Sequence, residues 1–211
     1  MNRTTRSTRV AGAVAVAGAA ALALTTVGSA QADPTGVRVT EPPSHQAVSS
    51  EPYELLDAED MPPAPTPWKA GPVTDGAGGE RACVADLVPD DGSVHRGFST
   101  ELDTEGVQIV HEAASVREAR QLTAELRAAV ANCAERFVER YPEGASSERE
   151  LGHLHAVQMS LPESSVNVHL LGVARSGTRV TVVQWGQMGT LDDAPVRDFR
   201  ETLRAAVHGL R

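Results

Sequence analysis

The strongest hydrophobic period in the chain starts at Val116. Val116, Ala119, Leu122, Leu126, Val130, Cys133 and Phe137 recur at steps of three and four, which predicts one amphipathic helix burying a single stripe. Ser115 stands ahead of it with Glu118 three residues on, the pattern of a capping box, and Tyr141-Pro142-Glu143-Gly144 ends it. Runs bounded by turn residues predict strands on either side. His95–Leu102 and Val107–Ala113 make two, around the turn Asp103-Thr104-Glu105-Gly106. Glu150–Ser160, Ser165–Arg175 and Arg179–Met188 make three more, joined at Leu161-Pro162-Glu163-Ser164 and by a tight reversal at Ser176-Gly177. Asp192 or Asp193 caps a terminal helix with Pro195 in its first turn and a stripe of Val196, Phe199, Leu203, Val207 and Leu210.

Near the start, Glu51–Met61 carries Tyr53, Leu55, Leu56 and Met61 with early acids, a pattern that suits a short docking helix stopped by Pro62 and Pro63. Asp75-Gly76-Ala77-Gly78-Gly79 reads as a loop, because it lacks the Gly-Lys-Ser/Thr ending that cradles phosphate. Short connections imply antiparallel strands, and two one-sided helices need a sheet to cover. The expected fold is therefore α+β: a single domain with an antiparallel β-sheet and two main helices packed on one face, in the order β-β-α-β-β-β-α after a short N-terminal helix.

The first 32 residues read as a secretory signal. Arg3, Arg6 and Arg9 precede an apolar run from Val10 to Val27, and Ala30-Gln31-Ala32 offers small residues for cleavage after Ala32. The competing reading is a membrane-spanning helix, which the Ala and Gly content of the run makes weakly apolar. Residues 33–50 form a Pro-rich leader expected to be disordered, and residues 51–211 form the folded domain. No second long apolar run follows, so no stable membrane insertion is expected after processing.

Charge narrows the partners. The chain carries a formal net charge of −9, and loss of the three arginines of the signal takes it to −12. Nucleic acid and anionic membrane surfaces both need a basic face, so neither is an expected partner. Aromatic residues make up 3% of the chain, too few for a platform that stacks sugars or bases.

Cys83 and Cys133 are the only cysteines. In an exported chain two thiols that can reach each other usually join, so a disulfide is expected, with a buried free thiol at Cys133 or a reactive nucleophile as the alternatives. His153 and His155 are two apart on one predicted strand and share a face. A hairpin turning near Pro162 brings His169 roughly opposite His155, a workable zinc geometry. Spacing fixes no fourth ligand, so a polar outer face is the plainer reading and no metal or other cofactor is assigned. Trp185 reads first as core and second as groove lining. The chain has no G-x-S-x-G, H-E-x-x-H or paired-cysteine redox motif, and no catalytic residue is assigned.

A family resemblance adds to this reading. Leu55-Leu56-Asp57-Ala58-Glu59-Asp60-Met61-Pro62 followed by Trp68, a cysteine after a loop, two strands, a helix ending in cysteine, and a strand-turn-strand through Val173-Ala174-Arg175-Ser176-Gly177-Thr178-Arg179-Val180 together resemble the extracellular sensor domain of the mycobacterial kinase PknH and its stand-alone actinobacterial relatives. The resemblance runs from Glu51 to Arg211. It implies an α+β domain with a groove for an extracellular ligand and no enzymatic activity. Two departures stand out: the chain has no kinase domain, and it has two cysteines where the kinase's domain has more.

The expected function is a secreted sensor-like domain that binds a small molecule or envelope component, with His153, His155, His169 and Trp185 as groove residues. A protein–protein interaction module of the envelope and a metal-dependent hydrolase are the alternatives.

Overall fold

Two strands in the second half of the chain are apolar on both faces, and they organise everything else. The computed structural model describes residues 54–79, 82–84 and 87–211. The signal segment, its cleavage after Ala32, the leader at 33–50 and Tyr53 lie outside the described residues. Eight strands form one sheet: β1 (Lys69–Ala70), β2 (Thr74–Asp75), β3 (Ser93–Ser99), β4 (Glu105–Glu112), β5 (Ala145–Glu150), β6 (Leu154–Ser160), β7 (Val166–Ser176) and β8 (Arg179–Met188). Among the described residues three α-helices accompany them, α1 (Val116–Ala131), α2 (Cys133–Arg140) and α3 (Val196–Gly209). The strand order is β1-β3-β4-β8-β7-β6-β5, with β2 also on β3, and every pairing is antiparallel.

The class is α+β with an antiparallel sheet, but the expected arrangement of two helices on one face is overturned. Among the described residues there are three α-helices, and they cover both faces. On β7, Leu171 and Val173 join Ile109, Leu126, Val130, Val157, Val180 and Val182 in one core with α1. Their neighbours Val168 and Leu170 join Val183, Trp185, Phe199 and Leu203 in a second core with α3. Alternate residues of a strand point to opposite faces, so the two cores lie on opposite sides of the sheet. A strand that is apolar at consecutive positions, such as Leu170 to Ala174, has to be covered twice.

The single long helix expected from Ser115 is also corrected. It breaks at Asn132, which has φ −99° and ψ 13°, into α1 and α2. Asn is a weak helix former that competes with the backbone for hydrogen bonds. After the break α1 lies on central β7 and β8, while α2 shifts to β5 and β6. The start of α1 is as expected, since the Ser115 hydroxyl accepts the Glu118 N–H. The expected strand 150–160 starts four residues later, as β6 at Leu154, and a strand that was not expected, β5, precedes it across the turn Leu151-Gly152-His153. The expected N-terminal helix is one 3-10 turn, Ala58–Asp60, within an otherwise extended strap.

That strap docks on the α3 face by polar contacts, one of them fully buried. The Leu56 N–H donates to Gln108 Oε1 at 2.6 Å, and Arg96 Nη1 donates to the Leu56 carbonyl and to Asp57. Thr202 donates to the Asp60 carbonyl, and Trp68 Nε1 to that of Pro62. At its beginning the Glu54 N–H donates to the Gly209 carbonyl. On the opposite face, a disulfide joins Cys83 to Cys133, with Cα atoms 5.0 Å apart, and ties the segment before β3 to the first residue of α2.

Candidate functional site

The register places a free edge beside α3. β6 begins at Leu154, paired with Gly172, whereas β7 continues to Ser176 with only β8 beside it. An unpaired strand edge exposes backbone groups that need partners. Arg127 of α1 supplies one: its Nε and Nη2 donate to the Val173 carbonyl at 3.3 and 3.1 Å.

A cleft of about 580 Å³ opens at this edge between the β5–β6 turn, the end of β7 and the outer flank of α3. Leu151, Leu154, Val173, Leu203 and Val207 give it apolar walls. Its polar groups are Arg127, Arg175, Arg200, Arg204 and Arg211 with His153 and His208, and no carboxylate side chain lines it. Arg127 is held by Val173 and Arg175 by the Gly177 carbonyl at 2.9 Å. Among the described residues the side chains of Arg200, Arg204 and Arg211 make no hydrogen bond or ion pair. Glu148 and Glu150 line an adjoining depression that shares Arg127 and His153 with the cleft.

The four residues expected to share one groove are separated. His153 sits exposed in the β5–β6 turn, at the cleft. His155 is buried on β6 and meets Glu148 Oε2 at 3.1 Å in the adjoining depression. His169 pairs across the sheet with Val157, and His155 pairs with Leu171, so the two histidines are not opposite each other. Trp185 is 2% exposed in the α3-side core and is corrected from groove lining to core. Among the described residues no three His, Cys, Asp or Glu side chains come close enough to hold a metal.

His169 belongs to a second depression of about 500 Å³ on the α1 face of the sheet, beyond the cover of that helix, with His95, Asn167, Gln184 and Met188. Burial pushes its imidazole below the ordinary histidine value, and its Nδ1 is buried without a partner. Burial also lowers the value of His111 on β4, against the opposing effect of the Glu112 charge.

Sequence reasoning missed the arginines. Their signal is present, since Arg200, Arg204 and His208 follow at steps of four on the terminal helix. It acquires meaning only once β7 is seen to outrun β6. Comparison of the chain with protein-family models, with curated proteins and with solved structures finds no match.

Proposed function

We propose that residues 51–211 are a non-catalytic, sensor-like binding domain of an exported protein, similar to the extracellular domains of PknH-like kinases, and that it captures a small extracellular ligand in the cleft beside β7. One observation carries this reading: three guanidinium groups without partners, Arg200, Arg204 and Arg211, stand over an apolar floor. Exposed guanidiniums without internal partners keep their N–H donors available to an anionic ligand, and the apolar floor beside them can bury its apolar part. The Cys83–Cys133 bond supports an oxidising compartment outside the cytoplasm. Among the described residues no helix is long and apolar enough to cross a membrane.

Native mass spectrometry of the protein purified from its own culture medium tests the proposal. A small non-covalent mass that leaves the chain on activation is the expected result. A co-purifying protein chain with no small mass would replace this reading with an interaction module.

A further inference from the structure

On the reading that the cleft beside β7 is a ligand site, we infer that it selects an alkyl phosphate: a phosphate monoester carried on an apolar tail. The charge arrangement is the first argument. Arg200 and Arg204 stand one turn apart on α3, and like charges at that spacing oppose the helix. The helix dipole favours cations toward the C-terminus, which suits Arg204 but not Arg200 in the first half of α3, nor Arg175 on β7. A chain of net charge −9 that gathers five arginines into one cleft, with no carboxylate side chain among them, has concentrated its positive charge locally. The acidic remainder repels extended polyanions such as nucleic acid, while the cleft attracts a small anion.

Donor count decides between anions. A carboxylate offers two oxygens, whereas a phosphate monoester offers three terminal ones. Three unengaged guanidiniums, two from the flank of α3 and one from Arg211 just past its end, each a rigid fork of N–H donors, match the latter. Arg127 and Arg175 are already committed to the Val173 and Gly177 carbonyls, so they shape the field more than they supply contacts. The apolar walls, Leu151, Leu154, Leu203 and Val207, have no role toward inorganic phosphate and are suited to a tail. The volume, about 580 Å³, is in the usual range for a small ligand.

Calorimetric titration of the disulfide-bonded protein with octyl phosphate tests this, with inorganic phosphate, octanoate and octyl glucoside as comparisons. Octyl phosphate is expected to bind most tightly, to weaken as salt rises, and to lose about tenfold or more in Arg204→Gln and again in the Arg200→Gln/Arg204→Gln double variant. Both side chains are exposed and unpartnered, so thermal melts of these variants should match the wild type, and Arg117→Gln on the outer side of α1 should leave binding unchanged.

Vesicles containing phosphatidic acid form a second arm. Arginine-dependent binding to them alone would support the same phosphate chemistry presented as a lipid headgroup. Binding of neither probe overturns the inference. Octanoate or octyl glucoside held as tightly as octyl phosphate also overturns it, while leaving the cleft a ligand site. A purified protein that holds no small molecule of any kind removes the underlying reading as well.

Discussion

Breaking the Cys83–Cys133 bond should lower stability by an amount that the sequence separation sets. The two residues are 50 apart, and the chain-entropy relation for a loop of that size gives about 4 kcal/mol at 25 °C. The loop contains β3, β4 and α1, so its closure restrains about a third of the domain in the unfolded chain. For a domain of this size each kcal/mol moves the melting temperature by about 2–4 °C, so the fall should be about 8–16 °C. Cys133 is 4% exposed, so alanine is the cleaner replacement, since serine would bury a hydroxyl without a partner. Scanning calorimetry of the oxidised protein and of Cys83→Ala/Cys133→Ala reads the difference. Cys83 has φ 67°, in the left-handed region that favours glycine. Cys83→Gly/Cys133→Ala should therefore recover about 1 kcal/mol relative to the alanine pair. A double alanine variant melting within about 2 °C of the oxidised protein would refute the loop-closure argument, which predicts several times that shift.

Other perturbations probe the strap and the buried histidine. Gln108→Leu leaves the Leu56 N–H without its acceptor in a site where Gln108 is fully buried, and should cost about 1–3 kcal/mol, read by denaturant unfolding. Gly209→Ala places a Cβ inside contact distance of the Glu54 carbonyl, so the strap must shift; a loss of about 1–3 kcal/mol and faster amide exchange at Leu55 and Leu56 are expected. His169 has a folded-state value below the unfolded one, so the unfolded chain takes up the proton first as pH falls. Its share of stability is complete above about pH 6.5 and is lost as pH drops from there toward the folded value. Melting temperatures at pH 7.5 and 5.5 should therefore differ more in the wild type than in His169→Gln.

Local signals in the chain were legible, and long-range ones were not. Ser115 caps α1 as its sequence pattern implies, β8 runs over Arg179–Met188, and Gly177, with φ 58°, turns the hairpin before it. These features depend on neighbours within a few residues. The cysteine pair was legible because only one pairing exists. The two-sided cover of the sheet was written in the apolar stretch Leu170–Ala174 of β7, but a stripe count on two helices points just as well to one face. The split at Asn132 was hidden because the apolar period continues through it to Cys133 and Phe137. β1 and β2, two residues each, have no period to detect. The basic cleft needed three elements to meet, the β5–β6 turn, the overhang of β7 and the flank of α3, and no short window of sequence contains them.

The hydrogen bond from Glu54 to the Gly209 carbonyl makes the described fold a nearly closed ring of chain. A few residues would link position 54 to position 211 without disturbing either, and new ends could be opened at the exposed Gly177 turn. Such a circular permutant should keep the sheet and both of its cores. The same closure suits the domain to insertion within a host protein as a module, because its two attachment points lie side by side. The lip of the arginine cleft, with His208 and Arg211, lies next to that junction. Occupancy of the cleft would thus be felt first at the place where a host chain enters and leaves.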